Sequence, residues 1–534
     1  MLPGLMQSFP LQISTILKHA ALAHPTQEIV SRLVDEPLWR YDYAGLARRS
    51  AQLANLMSTL DVGSGDRVST LAWNTHRHLE LFYGVPGMGA VLHTANPRLS
   101  DDQIIFTINH ADSSVLFFDK TFVAQVRRLR PHLPGVKHFI QMSAADQCDG
   151  FDSYETLIAG ARDQYDWPVF SEAAGAFLCY TSGTTGDPKG VLYSHRSVVL
   201  HGLVGGLESA FGLSAFDVIM PCSSLFHATA WGLPFAGVIN GAKFVMPCEK
   251  MDAASLQALI RTEGVTFTGG VPTIWTMYLD HLKRTGEGTG ALKRVVIGGS
   301  AVPRAMAETF QTDYGVRVLQ IWGMTEMSPV GVAATPTPAL AARGEDELNE
   351  VIWTRQGRLQ FGVELKIVDD EGNALPHDGE SSGALMARGP WTLERYYRAE
   401  NSALDKDGWF DTGDVSTIDE LGFMRITDRK KDVIKSGGEW ISSIDIENAA
   451  SACPGVKIAA VVGVFHPKWE ERPILILETH DGADLTTQVA LDFLAPHIVK
   501  WWTPDLVIFD TVPLTATGKI DKKALRDRYR DALK

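Results

Sequence analysis

The sequence predicts an α/β protein, with a large N-terminal body of βα sub-domains built on mostly parallel sheets and a small α+β domain at the C-terminus. Three observations carry this. At 534 residues the chain exceeds what one hydrophobic core organises, so it should divide. From about residue 27 to 400, short apolar β-rich runs alternate with longer helical patterns, the signature of a parallel sheet covered by helices. After Phe410 the alternation gives way to a compact α+β pattern.

Taken in order, residues 1–24 read as an amphipathic helix whose apolar positions Ile13, Ile16, Leu17 and Ala20 pack on the body. Strand-type runs follow at Arg67–Ala72, Ser114–Phe118, Ala176–Tyr180, Val191–Tyr193, Lys243–Met246, Arg294–Ile297 and Arg317–Ile321. The charged run Asp428–Asp432 marks the boundary, giving domains 1–430 and 431–534. In the second, Ala459–Val464 and Ile474–Leu477 read as strands and Thr487 to Lys500 as a helix. A basic helix follows Lys519.

The bulk composition, 45% hydrophobic and 21% charged, is that of a folded globular protein. With 49 Lys plus Arg against 63 Asp plus Glu, the formal charge of -14 repels a phosphate backbone and argues against nucleic-acid binding. A polyanionic ligand must therefore be held locally, by backbone N–H groups, a few placed cations and a metal ion. Five widely spaced cysteines without a CxxC pair indicate neither a disulfide framework nor a zinc site, which fits a reducing cytoplasm. There is no basic-then-apolar leader pattern, and no run approaches the ~18 apolar residues of a membrane span.

The strongest local signal is YTSGTTGDPKG, Tyr180 to Gly190. The hydroxyls of Thr181, Ser182, Thr184 and Thr185 suit phosphate oxygens, Gly183 permits close backbone approach, and Lys189 adds a positive charge. A Walker A loop must open a helix, whereas a strand enters this loop and another leaves it. A plain Gly/Ser/Thr turn is the bland alternative. Gly379–Gly383 satisfies GxSxG, but it follows a turn and opens a strand, so it is no nucleophile elbow. HExxH and GxGxxG are absent.

The loop resembles the signature of the adenylate-forming superfamily, which includes acyl-CoA synthetases, luciferases and the adenylation domains of peptide synthetases. Further segments match that family in order, together covering about residues 30 to 520. Gln320–Glu326, QIWGMTE, is similar to the segment in which the aromatic residue and glycine (Trp322, Gly323) flank adenine. In that resemblance Thr325 meets the α-phosphate and Glu326 holds Mg2+, a hard cation that wants carboxylate oxygen. Trp322 stands where many relatives have Tyr, which keeps a stacking face and loses a hydroxyl. Asp414 in DTGD resembles the ribose clamp, with Arg429 as a second hold, and Gly298 and Gly299 resemble the backbone bordering adenine and the acyl tunnel.

Lys519 resembles the C-terminal lysine that reaches the acid's carboxylate and the α-phosphate. Lys431 resembles the hinge, and Lys435, Gly437 and Gly438 the surface that meets CoA after the small domain has swung. His227 resembles a position that shifts between acid entry and CoA entry, and Trp231 a wall that shortens the acyl pocket. For several of these residues a turn-former, a packing histidine or a solvated lysine is the ordinary alternative.

The resemblance implies an ATP-dependent acid:CoA ligase using ATP, Mg2+ and CoA through an acyl-AMP intermediate. MLPGLM at residues 1–6 and EIVSR at residues 28–32 look most like medium-chain fatty-acid ligases and methylmercaptopropionate:CoA ligases. A short- or medium-chain acid is expected, and a homodimer is one expected assembly. An enzyme passing acyl-AMP to a carrier protein or other acceptor, and a degenerate nucleotide binder, stay open as alternatives.

Overall fold

The computed structural model describes residues 1–2, 4–181, 187–437, 439–480, 482–515 and 518–534. Ser182, Gly183, Thr184, Thr185 and Gly438 of the expected site lie outside the described residues.

The first sheet of the body has the spatial order Asp152–Ser153, His138–Gln141, Ser113–Phe118, Arg67–Leu71, Val91–Thr94, Gly175–Tyr180, Gly190–Ser194. Neighbours are parallel except the last pair, which forms an antiparallel hairpin. The parallel strands read as nearly unbroken apolar runs because both faces are covered, as at Val115, Leu116, Phe117 and Phe118.

The second sheet runs Arg358–Leu359, Val330–Ala333, Arg317–Gly323, Arg294–Ile297, Phe267–Gly270, Val218–Pro221, Lys243–Met246, Glu28–Ser31, Trp39–Asp42. It is parallel through the middle and antiparallel at both edges. Phe177, Phe235, Phe244, Val296 and Leu319 share one buried cluster that joins the two sheets. Helix ends follow ordinary capping chemistry: Ser100 and Gln103 form a capping box at Asp101–Ala111, and Asp112 ends that helix in the left-handed region.

A third, antiparallel sheet pairs Glu364–Val368, Gly383–Arg388, Phe410–Ile418 and Met424–Arg429. The C-terminal domain has its own sheet, in which Val456–His466 and Glu470–Thr479 form the long central hairpin and Leu506–Phe509 adds in parallel. Ile434, Ile446, Val461, Leu475 and Leu477 form its separate core.

Two elements differ from the sequence reading. The N-terminal helix is Ile13–Ala23 only, with Ile13, Ile16, Leu17 and Ala20 buried as expected. Pro10 and Pro3 lie ahead of it, and Met1, Leu2, Leu5, Met6 and Phe9 are exposed. The expected Thr487 to Lys500 helix stops at Leu494, and a short 3-10 turn follows at Lys500–Trp502. Pro496 explains the stop, since it has no N–H for the helical ladder and crowds the preceding turn.

Candidate active site

The Tyr180–Gly190 motif joins the antiparallel strands Gly175–Tyr180 and Gly190–Ser194, where Tyr180 pairs with Gly190. The loop is pinched at its base. Thr181 N–H donates to Lys189 O at 2.9 Å, and Lys189 N–H donates to Thr181 Oγ1 at 3.3 Å. The Lys189 ammonium lies 4.9 Å from the ring centroid of Tyr396. Gly190 is needed for packing as well, since a Cβ there would lie 3.1 Å from Tyr397 Cβ.

The strand Arg317–Gly323 delivers the second segment, and Thr325 and Glu326 follow in a short 3-10 turn. Tyr193 Oη–H donates to Thr325 O at 2.5 Å, and Leu393 N–H donates to Glu326 O at 2.7 Å. Tyr396 Oη–H donates to Glu326 Oε1 at 2.8 Å. Burial pushes the Glu326 carboxyl above its ordinary value, against the lowering effect of the Tyr396 hydrogen bond. Gly323 has a backbone reason to be glycine, because a Cβ there would fall 2.1 Å from Pro329 O, just ahead of the following strand.

Trp322 does more than offer a stacking face. Its Nε1–H donates to Asp414 Oδ2 at 2.8 Å, with both side chains buried. Asp414 and Arg429 are directly paired across neighbouring antiparallel strands, and Arg429 Nε lies 3.3 Å from Asp414 Oδ1. One carboxylate is thus held from both sides by residues from two sheets.

Gly299, at φ +84°, is one place where the body and the small domain meet. A Cβ there would be 3.2 Å from Val271 Cγ1, 3.8 Å from Lys519 Cε and 3.9 Å from Trp231 Cζ2. Gly298 beside it is closed against Ile321, whose Cγ1 would be 2.6 Å from an added Cβ. Desolvation pulls the half-buried Lys519 ammonium down to about 8, and the Arg429 cation adds to the shift. Asp414 and Glu326 oppose it, so those four residues share one electrostatic neighbourhood. His227 is held down to about 4 by burial, with the cations Lys519 and Arg98 nearby.

Trp231 is carried on a rare backbone. Ala228, Thr229, Ala230, Trp231 and Gly232 all have positive φ, from 41° to 77°. For L-residues each left-handed step costs roughly 1–2 kcal/mol, so packing must hold this turn in place. His201 contributes: a Cβ on Gly232 would lie 2.4 Å from His201 Cε1, while His201 Nε2 accepts Val330 N–H at 3.0 Å.

Of the remaining expected residues, Lys431 borders this neighbourhood, its charge adding to the lowering of Lys519. Lys435 is exposed on the strand Ile434–Ser436, its N–H donating to Glu471 Oε2 at 3.0 Å. Gly437, at φ +60°, donates its N–H to Trp469 O at 2.9 Å, and a Cβ there would be 2.9 Å from Trp469 Cε3. Lys431 is exposed, and its carbonyl accepts from Arg526 Nη1 at 3.4 Å. Sequence reasoning missed Tyr193 and Tyr396, which hold Thr325 and Glu326. Tyr193 lies just beyond the Tyr180–Gly190 motif and Tyr396 beside none, and they are 132 and 70 residues from the residues they bind.

The chain matches the AMP-binding enzyme family over residues 17–397 and the AMP-binding enzyme C-terminal domain over residues 445–519. It is 47% identical to the 3-methylmercaptopropionyl-CoA ligase of Ruegeria lacuscaerulensis, over 99% of both chains. It is 44% identical to a medium-chain-fatty-acid--CoA ligase of Ectopseudomonas oleovorans, over 99% of this chain and 98% of that one. A crystal structure of an anthranilate CoA ligase in complex with anthranoyl-AMP shares the fold, with a TM-score of 0.87 at 22% identity over 99% of both chains. The chain therefore belongs to the AMP-binding enzyme family, as one of its AMP-forming acyl-CoA ligases.

Proposed function

We propose that this enzyme converts a short- or medium-chain carboxylic acid, a fatty acid or 3-methylmercaptopropionate, to its CoA thioester. The names of the two full-length relatives support that substrate range. In the first half, a carboxylate oxygen attacks the α-phosphorus of ATP, forming acyl-AMP and releasing pyrophosphate. In the second, CoA sulfur attacks the acyl carbon, AMP leaves, and the thiol proton passes to solvent. The observation that carries this reading is Lys519 from the small domain, lying beside Gly299 and sharing a field with Glu326, Asp414 and Arg429. A cation at that point can attract both the acid and the α-phosphate while charge rearranges between them.

In this reading the loop residues Thr181 to Lys189 hold the phosphates, Trp322 and Gly323 flank adenine, Thr325 meets the α-phosphate, and Asp414 with Arg429 holds ribose. Gly298, Gly299 and Trp231 border the acid, and His227, kept neutral by burial beside two cations, governs entry. Glu326 fits an Mg2+ ion, since it is a carboxylate near the lysine of the phosphate loop, and the ion would neutralise charge on the leaving pyrophosphate. The domains divide as 1–430 and 431–534, and the small one turns about Lys431 to exchange Lys519 for the Lys435 and Gly437–Gly438 surface, where CoA arrives. Five free cysteines suit a reducing cytoplasm.

Measuring AMP release with a panel of straight-chain acids from C2 to C14 and 3-methylmercaptopropionate, with and without CoA, tests the assignment. CoA-dependent turnover on the shorter acids is expected. Equal turnover without CoA would overturn the choice of acceptor, and a preference for the longest acids would overturn the substrate range.

A further inference from the structure

One segment of the body touches both the ion-holding carboxylate and the phosphate loop. Residues 389–397 lie across the site. Leu393 N–H donates to Glu326 O at 2.7 Å, Ser328 Oγ–H to Trp391 O at 3.1 Å, and Tyr397 N–H to Gly190 O at 2.8 Å. Tyr396 is the residue in that segment whose side chain faces the chemistry. Its hydroxyl donates to Glu326 Oε1 at 2.8 Å, and the Lys189 ammonium sits 4.9 Å from its ring centroid.

We propose that Tyr396 is a positioning residue: its hydroxyl orients the Glu326 carboxylate for the cation and its ring braces Lys189, coupling metal recognition to phosphate recognition. The proposal rests on the reading that Glu326 holds Mg2+. The physical reason is geometric. An O–H donor to an ionised carboxylate makes a short, charge-assisted bond that fixes the rotamer and engages one oxygen, leaving Oε2 to face an ion. A lysine over an aromatic face is attracted by the ring quadrupole and loses the freedom its long stem would otherwise have. Without the hydroxyl, a buried carboxylate would have to be ordered when the ion arrives, and the cost would appear as weaker ion binding. Packing alone gives no reason for the hydroxyl, since a phenylalanine fills the same ring volume.

The test uses the full chain and α,β-methylene-ATP, which cannot be adenylated. Its affinity is measured calorimetrically in EDTA and in saturating Mg2+, and the ratio is the gain due to the ion. Tyr396→Phe should leave the metal-free affinity within twofold of wild type and cut the gain by about tenfold, the lower end expected on losing a partner that orients a ligand. Tyr396→Ala should also weaken metal-free binding, because Lys189 loses its brace. Glu326→Gln separates the two claims. If it removes the gain while Tyr396→Phe keeps it in full, the positioning role is wrong and the metal reading stands. If Glu326→Gln keeps the gain, the metal reading fails and the proposal fails with it.

Discussion

Trp322 Nε1–H donates to Asp414 Oδ2 at 2.8 Å, while Arg429 Nε lies 3.3 Å from the other oxygen of the same carboxylate. Trp322 therefore spends its indole donor on the Asp414 carboxylate, the group proposed to hold ribose. A buried hydrogen bond to a charged acceptor contributes about 1.5–3 kcal/mol when its loss strands the acceptor.

Trp322→Phe should therefore raise the KM for ATP roughly tenfold. If the tryptophan acts by orienting Asp414, discrimination between ATP and 2′-deoxy-ATP should shrink in the same variant. Steady-state kinetics with both nucleotides checks this. A raised KM with unchanged discrimination would assign the tryptophan to stacking alone.

Trp231 reaches Gly299 from a left-handed turn, and Lys519 approaches the same glycine. Trp231→Ala should shift the preferred acid to a longer chain by several carbons. Its thermal midpoint should also fall, since removing a buried aromatic side chain costs about 3–5 kcal/mol. A panel of straight-chain acids and a melting curve measure the two effects. An unchanged chain-length profile would remove Trp231 from the pocket.

Burial and Arg429 pull the Lys519 ammonium down to about 8, so the cation is lost as pH rises through that value. The kcat/KM for acid in ATP–pyrophosphate exchange should decline above about pH 8, because the deprotonated amine attracts neither carboxylate nor phosphate. Lys519→Arg keeps its charge, and its alkaline limb should move beyond pH 10 even if its overall rate is lower. Coincident profiles for the two enzymes would assign the limb to another group.

Lys435 is exposed on a strand of the small domain, with its N–H bonded to Glu471. Lys435→Ala should raise the KM for CoA in thioester formation and leave pyrophosphate exchange within twofold of wild type. Comparable losses in both assays would place Lys435 outside the CoA surface.

The parallel body was legible because buried strands such as Ser113–Phe118 are apolar on both faces, and the hairpin carrying the Tyr180–Gly190 motif was legible because two short β-rich runs flank it. Lys519, Glu326 and Asp414 stood out as chemically distinctive residues in compact motifs. Tyr396 and His201 did not. The hydrogen bond of each spans 70 or 129 residues of chain, and nothing in the local pattern of either distinguishes it from a packing residue. Trp322 was visible as an aromatic position, but its donor role depends on the approach of a strand 92 residues away. The left-handed run at Ala228–Gly232 was equally hidden, since four of its five residues have side chains that disfavour it.

The most direct measurement compares the two half-reactions in Lys519→Ala. Acid-dependent ATP–pyrophosphate exchange should fall at least a thousandfold, because the side chain lying against Gly299 is removed, while thioester formation from synthetic acyl-AMP and CoA stays within a few fold of wild type. Equal loss in both halves, or exchange that survives, would contradict the claim that Lys519 serves acid activation at a site shared by two reactions.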